Sequence, residues 1–346
     1  MHMADALLSP AVGGVMWGAT AVTVAYCARR LQSDPDERRV PLMGVLGAFL
    51  FAAQMINFSI PGTGSSGHLG GGLLLAILLG PHASFLVMAS VLIVQALFFA
   101  DGGLLALGCN IFNLGFFPAF IGYPIYRRLA GVDPSSARIA VAAIVAAILS
   151  LQLGAFAVVL ETVASGISAL PFGTFVLFML PIHLAIGIVE GLVTAAVVSF
   201  VRTTRPEVLP TTAPSGSPVM GVALMFFAIA LALGGVGAWY ASKNPDGLEW
   251  SVAKVTGGSE PDSPQSIIHA TLGRIQNKIA LLPDYNFRRT EGSEGKAGEA
   301  GRADGAGQDR LGTSIAGVVG GVITLIVAVV IGMAVGRRAR RAGRAS

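Results

Sequence analysis

The sequence predicts an all-α fold, a polytopic membrane helix bundle, and three observations support this. Hydrophobic residues make up 53% of the 346-residue chain and charged residues only 12%, about half the charged share of an ordinary soluble domain. The charged residues crowd into short segments that separate long apolar runs. Most of these runs approach the roughly 20 apolar residues that a helix needs to cross a bilayer. These features exclude a soluble fold, and the net charge of +4 does not indicate a nucleic-acid partner.

Apolar runs bounded by polar residues predict nine membrane spans. They cover residues 11–28, 40–57, 70–80, 83–100, 104–126, 136–163, 174–201, 217–241 and 312–336. The run 70–80 is the shortest and stops before Pro81, so we expect a short or tilted helix that pairs closely with the next one. Gly70, Gly71 and Gly72 at its start suit close approach of neighbouring helices.

Basic residues predict the orientation of these spans. Arginine clusters follow the first, fifth, seventh and ninth spans, at 29–39, 127–128, 202–205 and 337–341. Positive charge marks the cytoplasmic side of a membrane, and all four clusters follow odd-numbered spans. We therefore expect a cell-membrane protein with its N-terminus outside and its C-terminus in the cytoplasm. The segment 57–72 and the polar stretch 243–310 then share the outer face with Met1.

A polar linker divides the chain into two units. Residues 206–216 are rich in Pro, Thr and Ser, a composition typical of linkers. We expect a seven-span body over 1–205 and, over 217–346, a two-span hairpin around an external loop at about 243–310. Within that loop, 291–308 alternates Gly with charged residues and Ala, so we expect it to be disordered.

His2 is a candidate metal ligand because it stands beside the chain start. The sequence lacks the features of a cleaved signal peptide, so we expect Met1 and His2 to remain in the mature protein. The terminal amine, the His2 backbone nitrogen and the His2 Nδ1 atom then close two adjoining chelate rings around one ion. The alternative interpretation is a solvated terminal residue without a ligand role.

His68 is the candidate for the remaining ligand position. Three nitrogen atoms in a plane leave one corner empty, and square-planar nitrogen coordination suits Ni(II) or Cu(II). His68 lies on the same predicted outer face, in a glycine-rich segment, 62–70, that is able to fold onto the chain start. An ordinary loop histidine is the alternative. Cys27 and Cys109 lie in apolar runs and predict no thiolate site.

Amides in the predicted spans are candidates for supporting the ligands. Asn110 and Asn113 lie three residues apart, hence on one helix face. Facing inward they would hydrogen-bond the binding loop and hold His68 in place, or they form a polar clasp between helices. Gln54 and Asn57, at the outer end of the second span, are candidates for the same supporting role.

His183 and Glu190 lie seven residues apart on one face of the seventh span. Ionisable residues inside a membrane are costly and usually mark function, but one His and one Glu do not predict a proton relay. We expect them to pair with another helix or to contact a partner subunit. We expect Glu161, Asp101 and His82 to be solvated residues or caps.

Several segments carry distinctive sequences. They are 1–10 (MHMADALLSP), 64–71 (GSSGHLGG), 95–103 (QALFFADGG), 110–115 (NIFNLG) and 183–191 (HLAIGIVEG). Together they resemble the CbiM/NikM family, the substrate-specific components of energy-coupling factor nickel and cobalt importers, over about 1–205. Farther on, 244–250 (NPDGLEW) is similar to the signature of the PDGLE domain, a NikN-type unit often fused to this family. Its Asp246 and Glu249, with His269, are expected to be turn and surface residues, or to pass metal inward.

The resemblance implies a ligand set and a set of partners. In the family the ion is bound by the terminal amine, the backbone nitrogen and imidazole of the second residue, and a loop histidine, here Met1, His2 and His68. Residues 3–6 (MADA) depart from the Ile-Pro-Asp-Gly-like run of the family, which affects loop geometry and selectivity. The chain lacks a GxxxxGK[ST] phosphate loop, so the resemblance implies a transmembrane coupling subunit and two cytoplasmic ATPases as partners.

We expect a transport subunit for Ni(II) or Co(II) in membrane lipid, with no cofactor and no catalytic activity. One alternative is a component of the same superfamily that binds an organic vitamin, which needs a larger pocket lined by aromatic residues. Another is an intramembrane metalloenzyme that uses His68, His183 and Glu190, although HExxH is absent. Small residues at helical spacing in the first span form a candidate face for the coupling subunit or for another span; they are Gly14, Gly18, Ala21 and Ala25.

Overall fold

The computed structural model describes residues 2–33, 36, 39–168, 170–204, 220–258, 266–288 and 299–342, with the backbone alone over 299–308 and 338–342. Over these residues the chain is mostly α-helical. Met1, the first predicted ligand, and the predicted linker 206–216 lie outside the described residues.

The N-terminal part contains a series of helices in the order that the apolar runs predict. They are α1 (Pro10–Ser33), α2 (Arg39–Gln54), α3 (Gly72–Leu79), α4 (Pro81–Phe99), α5 (Leu107–Ile111), α6 (Tyr123–Ala130), α7 (Ser136–Ser165) and α8 (Phe172–Thr204). A π-helical segment, Phe112–Gly122, joins α5 to α6. Two short strands, β1 (Phe58–Ile60) and β2 (Ser65–Gly67), form a hairpin between α2 and α3. Helix α3 has only 8 residues, about 12 Å, and does not cross a bilayer by itself.

The C-terminal part contains two apolar helices and two polar ones. They are α9 (Met220–Gly235), α10 (Gly247–Thr256), α11 (Ile267–Ile279) and α12 (Glu299–Ala342). Helices α10 and α11 lie in the polar stretch where the sequence predicts only an external loop. The predicted disorder of 291–308 is wrong for 299–308, which are helical, because these residues only extend a helix that the apolar run has already nucleated.

Five helices of the described chain are long and apolar enough to cross a membrane. They are Pro10–Ser33, Pro81–Phe99, Ser136–Ser165, Phe172–Thr204 and Asp309–Arg337. Helices α2 and α9 are also apolar but shorter, at 16 residues each. Large apolar side chains face outward from the bundle, for example Val15 and Leu177, which are 71% and 66% exposed. Lipid is the surrounding in which such a surface is stable, so the chain is a multi-pass membrane protein.

Glycines at helix crossings let the helices approach closely. A Cβ atom at Gly191 of α8 would lie 2.4 Å from the Ile144 Cα atom of α7. A Cβ atom at Gly317 of α12 would overlap the backbone of Gly234 in α9. Helix α12 also packs along α2. The C-terminal helices are therefore packed directly against the N-terminal bundle.

The α7–α8 contact gives a testable consequence for stability. Gly191→Ala places a methyl group against the α7 backbone, which has no flexible end to move aside. We expect a loss of about 1–3 kcal/mol, typical of overpacking, seen as a lower thermal midpoint of the detergent-purified protein. The matched control is Gly14→Ala in α1, where an added Cβ atom meets nothing within 4 Å. Equal thermal midpoints for the two variants would contradict the close crossing of α7 and α8.

Candidate metal centre

The structure brings His2 and His68 together. The two imidazole rings are stacked, with centroids 5.0 Å apart and planes 21° from parallel. The His2 side chain is 8% exposed, and His68 as a whole residue is also 8% exposed. His2 belongs to the chain start, whereas His68 directly follows β2, so the pair joins segments that are 66 positions apart in sequence. The two predicted imidazole ligands therefore form one buried cluster.

The β1–β2 hairpin positions His68. Its strands pair antiparallel, with Ser59 opposite Ser66. Its turn contains Gly62 and Gly64 at φ values of 78° and 76°, a region that side chains other than glycine rarely adopt. Gly67 lies flat against α8, because a Cβ atom there would come within 2.5 Å of Ile186 Cγ1. The glycine-rich composition thus permits both the turn and the close packing of the hairpin against α8.

Asn110 holds the chain start. The Met3 backbone N–H donates to Asn110 Oδ1 at 2.8 Å, and Asn110 Nδ2 donates to the Met3 carbonyl at 3.2 Å. The Gly103 N–H donates to the same carbonyl at 3.0 Å, and the Met3 side chain is fully buried. At the first residue of a short 3₁₀ helix, Asp5–Leu7, the Asp5 Oδ1 atom accepts a hydrogen bond from the Ala106 N–H at 2.9 Å. This pairing fixes the position of His2 through its neighbour in sequence.

A chain of amide side chains fixes which nitrogen of His2 carries the proton. Gln54 Nε2 donates to the Gly70 carbonyl at 2.9 Å, and Gln95 Nε2 donates to Gln54 Oε1 at 2.8 Å. Gln95 Oε1 therefore faces His2 Nε2, at 3.2 Å. Since an amide oxygen only accepts, Nε2 carries the hydrogen and Nδ1 carries the lone pair. Nδ1 is the atom that the predicted chelate with the backbone nitrogen requires.

His68 takes the opposite tautomer to that of His2. Its Nδ1 atom lies 3.1 Å from the Leu69 carbonyl oxygen, so Nδ1 is the donor and Nε2 carries the lone pair. Burial lowers the pKa of His68 well below its ordinary value, and burial also lowers the pKa of His2, although Asp101 opposes that shift. Both rings are therefore neutral at pH 7, which is the form that binds metal ions.

Glu190 secures the loop after His68. Its two carboxylate oxygens accept hydrogen bonds from the Gly70 N–H at 2.8 Å and the Gly71 N–H at 3.1 Å. The sequence predicts a helix partner or a subunit contact for Glu190, whereas the structure places it on the binding loop. Backbone amides are a good partner for a carboxylate at membrane depth, because every polar group there needs one.

The other predicted supporting residues lie farther from the rings. Asn113 Nδ2 donates to Glu161 Oε2 at 2.9 Å, so Asn113 does not share a partner with Asn110. The helix widens into its π segment at Phe112, and residues three apart no longer lie on one face. The expectation that Glu161 is solvated is wrong, since it is 7% exposed. Asn57 accepts from the Ser242 N–H at 2.7 Å through its backbone carbonyl.

Asp101 is also part of the cluster, contrary to the expectation of a solvated residue or cap. Its Oδ1 atom lies 3.5 Å from His2 Nδ1, and its Oδ2 atom accepts a hydrogen bond from the Tyr285 hydroxyl at 2.5 Å. His269 of α11, expected at the surface, is buried and lies 2.9 Å from the Leu8 carbonyl through Nε2. The C-terminal part therefore covers the chain start.

A wide cavity of about 1840 Å³ opens over the two imidazoles. His2, His68 and Asp101 line one side, and Asp246 and Glu249 of the C-terminal part line the other. Burial opposes ionisation of Asp246, but nearby positive charge and hydrogen bonds, among them that from the Glu249 N–H, hold its pKa well below the ordinary value. Six acidic and three basic side chains of the described residues line this cavity, and the excess of negative charge favours the approach of cations.

Side chains alone do not complete a metal site in the part of the chain that the structure describes. No three His, Cys, Asp or Glu side chains there form a group able to hold an ion. The predicted set needs only two imidazoles, with a backbone nitrogen and the terminal amine as the other donors. Sequence reasoning missed Gln95 and Asp101, although both lie in the segment 95–103 that carries part of the family resemblance.

Comparison with known proteins gives matches along both parts of the chain. Residues 2–208 match the model of the CbiM family, described as a cobalt uptake substrate-specific transmembrane region, and residues 220–337 match that of the PDGLE domain. A putative fused nickel transport protein, NikMN, of Archaeoglobus fulgidus is 35% identical over 293 residues, which cover 83% of this chain and 88% of that protein.

Two further similarities cover the N-terminal part. A cobalt transport protein, CbiM, of Sorangium cellulosum is 32% identical over 216 residues, 60% of this chain and 94% of that protein. The crystal structure of a truncated transition metal transporter aligns with a TM-score of 0.52 at 30% identity and covers 59% of this chain and 99% of that one.

The amide chain gives a testable consequence. Gln95→Leu removes the acceptor for the His2 Nε2 hydrogen, so His2 is free to take the other tautomer. We expect Ni²⁺ affinity to fall about 10–100-fold, typical of losing a residue that orients a ligand, in competition with a coloured chelator. The control Gln152→Leu removes an amide that donates to Leu180 in another region. Equal affinities of the two variants would contradict the tautomer assignment.

Proposed function

The chain belongs to the CbiM family and carries a PDGLE domain after it, and from this we propose that it captures Ni(II) or Co(II) for an ATP-driven energy-coupling factor importer. The single observation that carries the proposal is the stacked, buried pair of neutral imidazoles, one of them beside the chain start. Named relatives that transport nickel or cobalt support the choice of ion.

In the proposed site the ion is bound by four nitrogen atoms. They come from the Met1 amine, the His2 backbone, His2 Nδ1 and His68 Nε2. The tautomers described above support this set, because each ring turns its lone-pair nitrogen away from its hydrogen-bond acceptor. Asn110 and Gln54 support the site by holding Met3 and the amide chain.

The proposed topology has seven spans over 1–205, a linker over 206–216, and two spans in 217–346 around an external loop. The third of the seven spans consists of the short α3 together with the largely buried segment 67–71 before it. The N-terminus is outside and the C-terminus in the cytoplasm. Three segments that the arginine clusters predict on the outer face are in mutual contact: the chain start, the β1–β2 hairpin and the region after α9. Such contacts require all three to be on one side of the membrane, which supports the assignment.

Energy for import is proposed to come from other chains, namely a transmembrane coupling subunit and two cytoplasmic ATPases. The small-residue face of α1 supports a helical partner. Gly14 and Gly18 have open space where a Cβ atom would be, and Ala21 and Ala25 are exposed. The alternative, that this face packs against another span, is not seen among the described helices.

Blocking the terminal amine tests the ligand set. Two residues placed before Met1 move the amine and remove the chelate ring, so we expect Ni²⁺ affinity to fall at least about 100-fold, measured by titration calorimetry. His68→Ala removes the fourth donor and should give a comparable loss. The control His82→Ala changes a histidine that packs on Tyr26 and Phe120. Wild-type binding by the blocked protein would refute the proposed coordination.

Four planar nitrogen donors also predict ion preference. This geometry suits Ni(II), and nickel complexes are more stable than cobalt complexes with the same donors. Expression in medium with equal Ni²⁺ and Co²⁺ should therefore yield protein that contains mainly nickel by elemental analysis. A cobalt-rich preparation would indicate a different geometry at the centre.

A further inference from the structure

The C-terminal part clamps the hairpin that carries His68. The Ser66 N–H donates to the Pro245 carbonyl at 2.8 Å, and the Ser66 hydroxyl donates to the Asn244 carbonyl at 2.8 Å. The Trp250 indole N–H donates to the Thr63 carbonyl at 3.0 Å. These contacts fasten both β2 and the hairpin turn to the segment 244–250. That segment therefore lies at the metal centre rather than in a detached loop.

Gly247 brings this segment against α8. A Cβ atom at Gly247 would lie 3.1 Å from His183 Cε1 and 3.1 Å from Ile182 Cγ2, so a larger residue would push the segment away. The start of α10 therefore lies beside a small cavity between α8 and His68. The residue immediately before Gly247 is Asp246.

Asp246 is placed rigidly at this position by a capping box. Its Oδ1 atom accepts from the Leu248 N–H at 2.8 Å and the Glu249 N–H at 2.9 Å, and Glu249 Oε2 accepts from the Asp246 N–H at 3.2 Å. Asp246 lines the wide cavity together with His2 and His68, and it also lines the small cavity beside His68. Its negative charge therefore lies in the same cavity as the two imidazoles.

A second, independent observation is the state of His183. Its Nδ1 atom donates to the Met179 carbonyl at 2.7 Å, whereas its Nε2 atom has no hydrogen-bond partner in the described part of the chain, and the ring is fully buried. His183 lines one small cavity together with His68 and Asp246. A buried nitrogen without a partner is rare in folded proteins. The cavity has a volume of about 10 Å³, which is room for about one water molecule, so it suits a single small polar species between His183, His68 and Asp246.

We propose that Asp246 is an ion-holding residue, whose carboxylate balances the charge of the divalent cation at His2 and His68, so that the C-terminal part completes the site of the N-terminal part. The inference rests on the proposed function. When the ion binds, the His2 backbone nitrogen loses its proton to solvent, and one positive charge remains on the centre. A carboxylate beside it compensates that charge in surroundings where water is largely excluded.

The test compares Ni²⁺ affinities of full-length variants in detergent by titration calorimetry. Asp246→Asn removes the charge but keeps the cap, because Asn is as good an N-cap as Asp. We expect its affinity to fall about 10-fold or more, with an unchanged thermal midpoint of the ion-free protein. Unchanged hydrogen exchange at Leu248 and Glu249 would show that α10 is intact.

Asp284→Asn is the matched control, since it makes the same chemical change at an exposed side chain of the wide cavity that takes no part in the capping box. We expect its affinity to stay within about threefold of wild type. Wild-type affinity in Asp246→Asn would overturn the inference. An equal loss of affinity in both variants would also overturn it, because that result would show only the effect of a diffuse surface potential.

His68→Ala, measured in parallel, separates this inference from the proposed function. Retention of wild-type affinity by His68→Ala contradicts the proposed centre itself. Loss of affinity in His68→Ala together with wild-type affinity in Asp246→Asn leaves the centre in place and refutes the role of Asp246 alone.

Discussion

The stacked pair of His2 and His68 is the interaction on which the outer half of the protein depends. Burying two imidazoles is unfavourable unless each polar nitrogen has a partner. Gln95 and the Leu69 carbonyl satisfy one nitrogen of each ring, and the remaining nitrogens keep their lone pairs. Neutral rings with directed lone pairs are what a transition-metal ion requires. The hydrogen bonds that stabilise the buried rings therefore also fix the lone-pair nitrogens that ion capture requires.

The loop that carries His68 is irregular backbone beside apolar helices, so its polar groups need partners within the protein. Glu190 of α8 takes two of its amides, and Gln54 of α2 donates to one of its carbonyls. Ser66 is fastened to the C-terminal part. Three separate elements thus hold one loop, and the position of His68 depends on all of them.

The sequence is sufficient to predict the order of the apolar helices, because hydropathy is a local property. It also predicts the approach of His2 to His68, because the arginine clusters place both histidines on one face of the membrane. It does not reveal the partners of Gln95 or Glu190, which depend on how distant helices pack. Asn113 was placed with Asn110 by assuming a regular helix, whereas the π segment turns it toward Glu161. The polar composition of 299–308 predicts disorder, yet the adjoining apolar run carries the helix through it.

Coordination by four nitrogens, with two of them from imidazoles, is the central claim, and X-ray absorption at the nickel edge tests it most directly. The spectrum of the nickel-loaded full-length chain should show a square-planar centre with four nitrogen neighbours and the multiple scattering of two imidazole rings. Six light-atom neighbours, a sulfur neighbour, or a single imidazole would contradict the account.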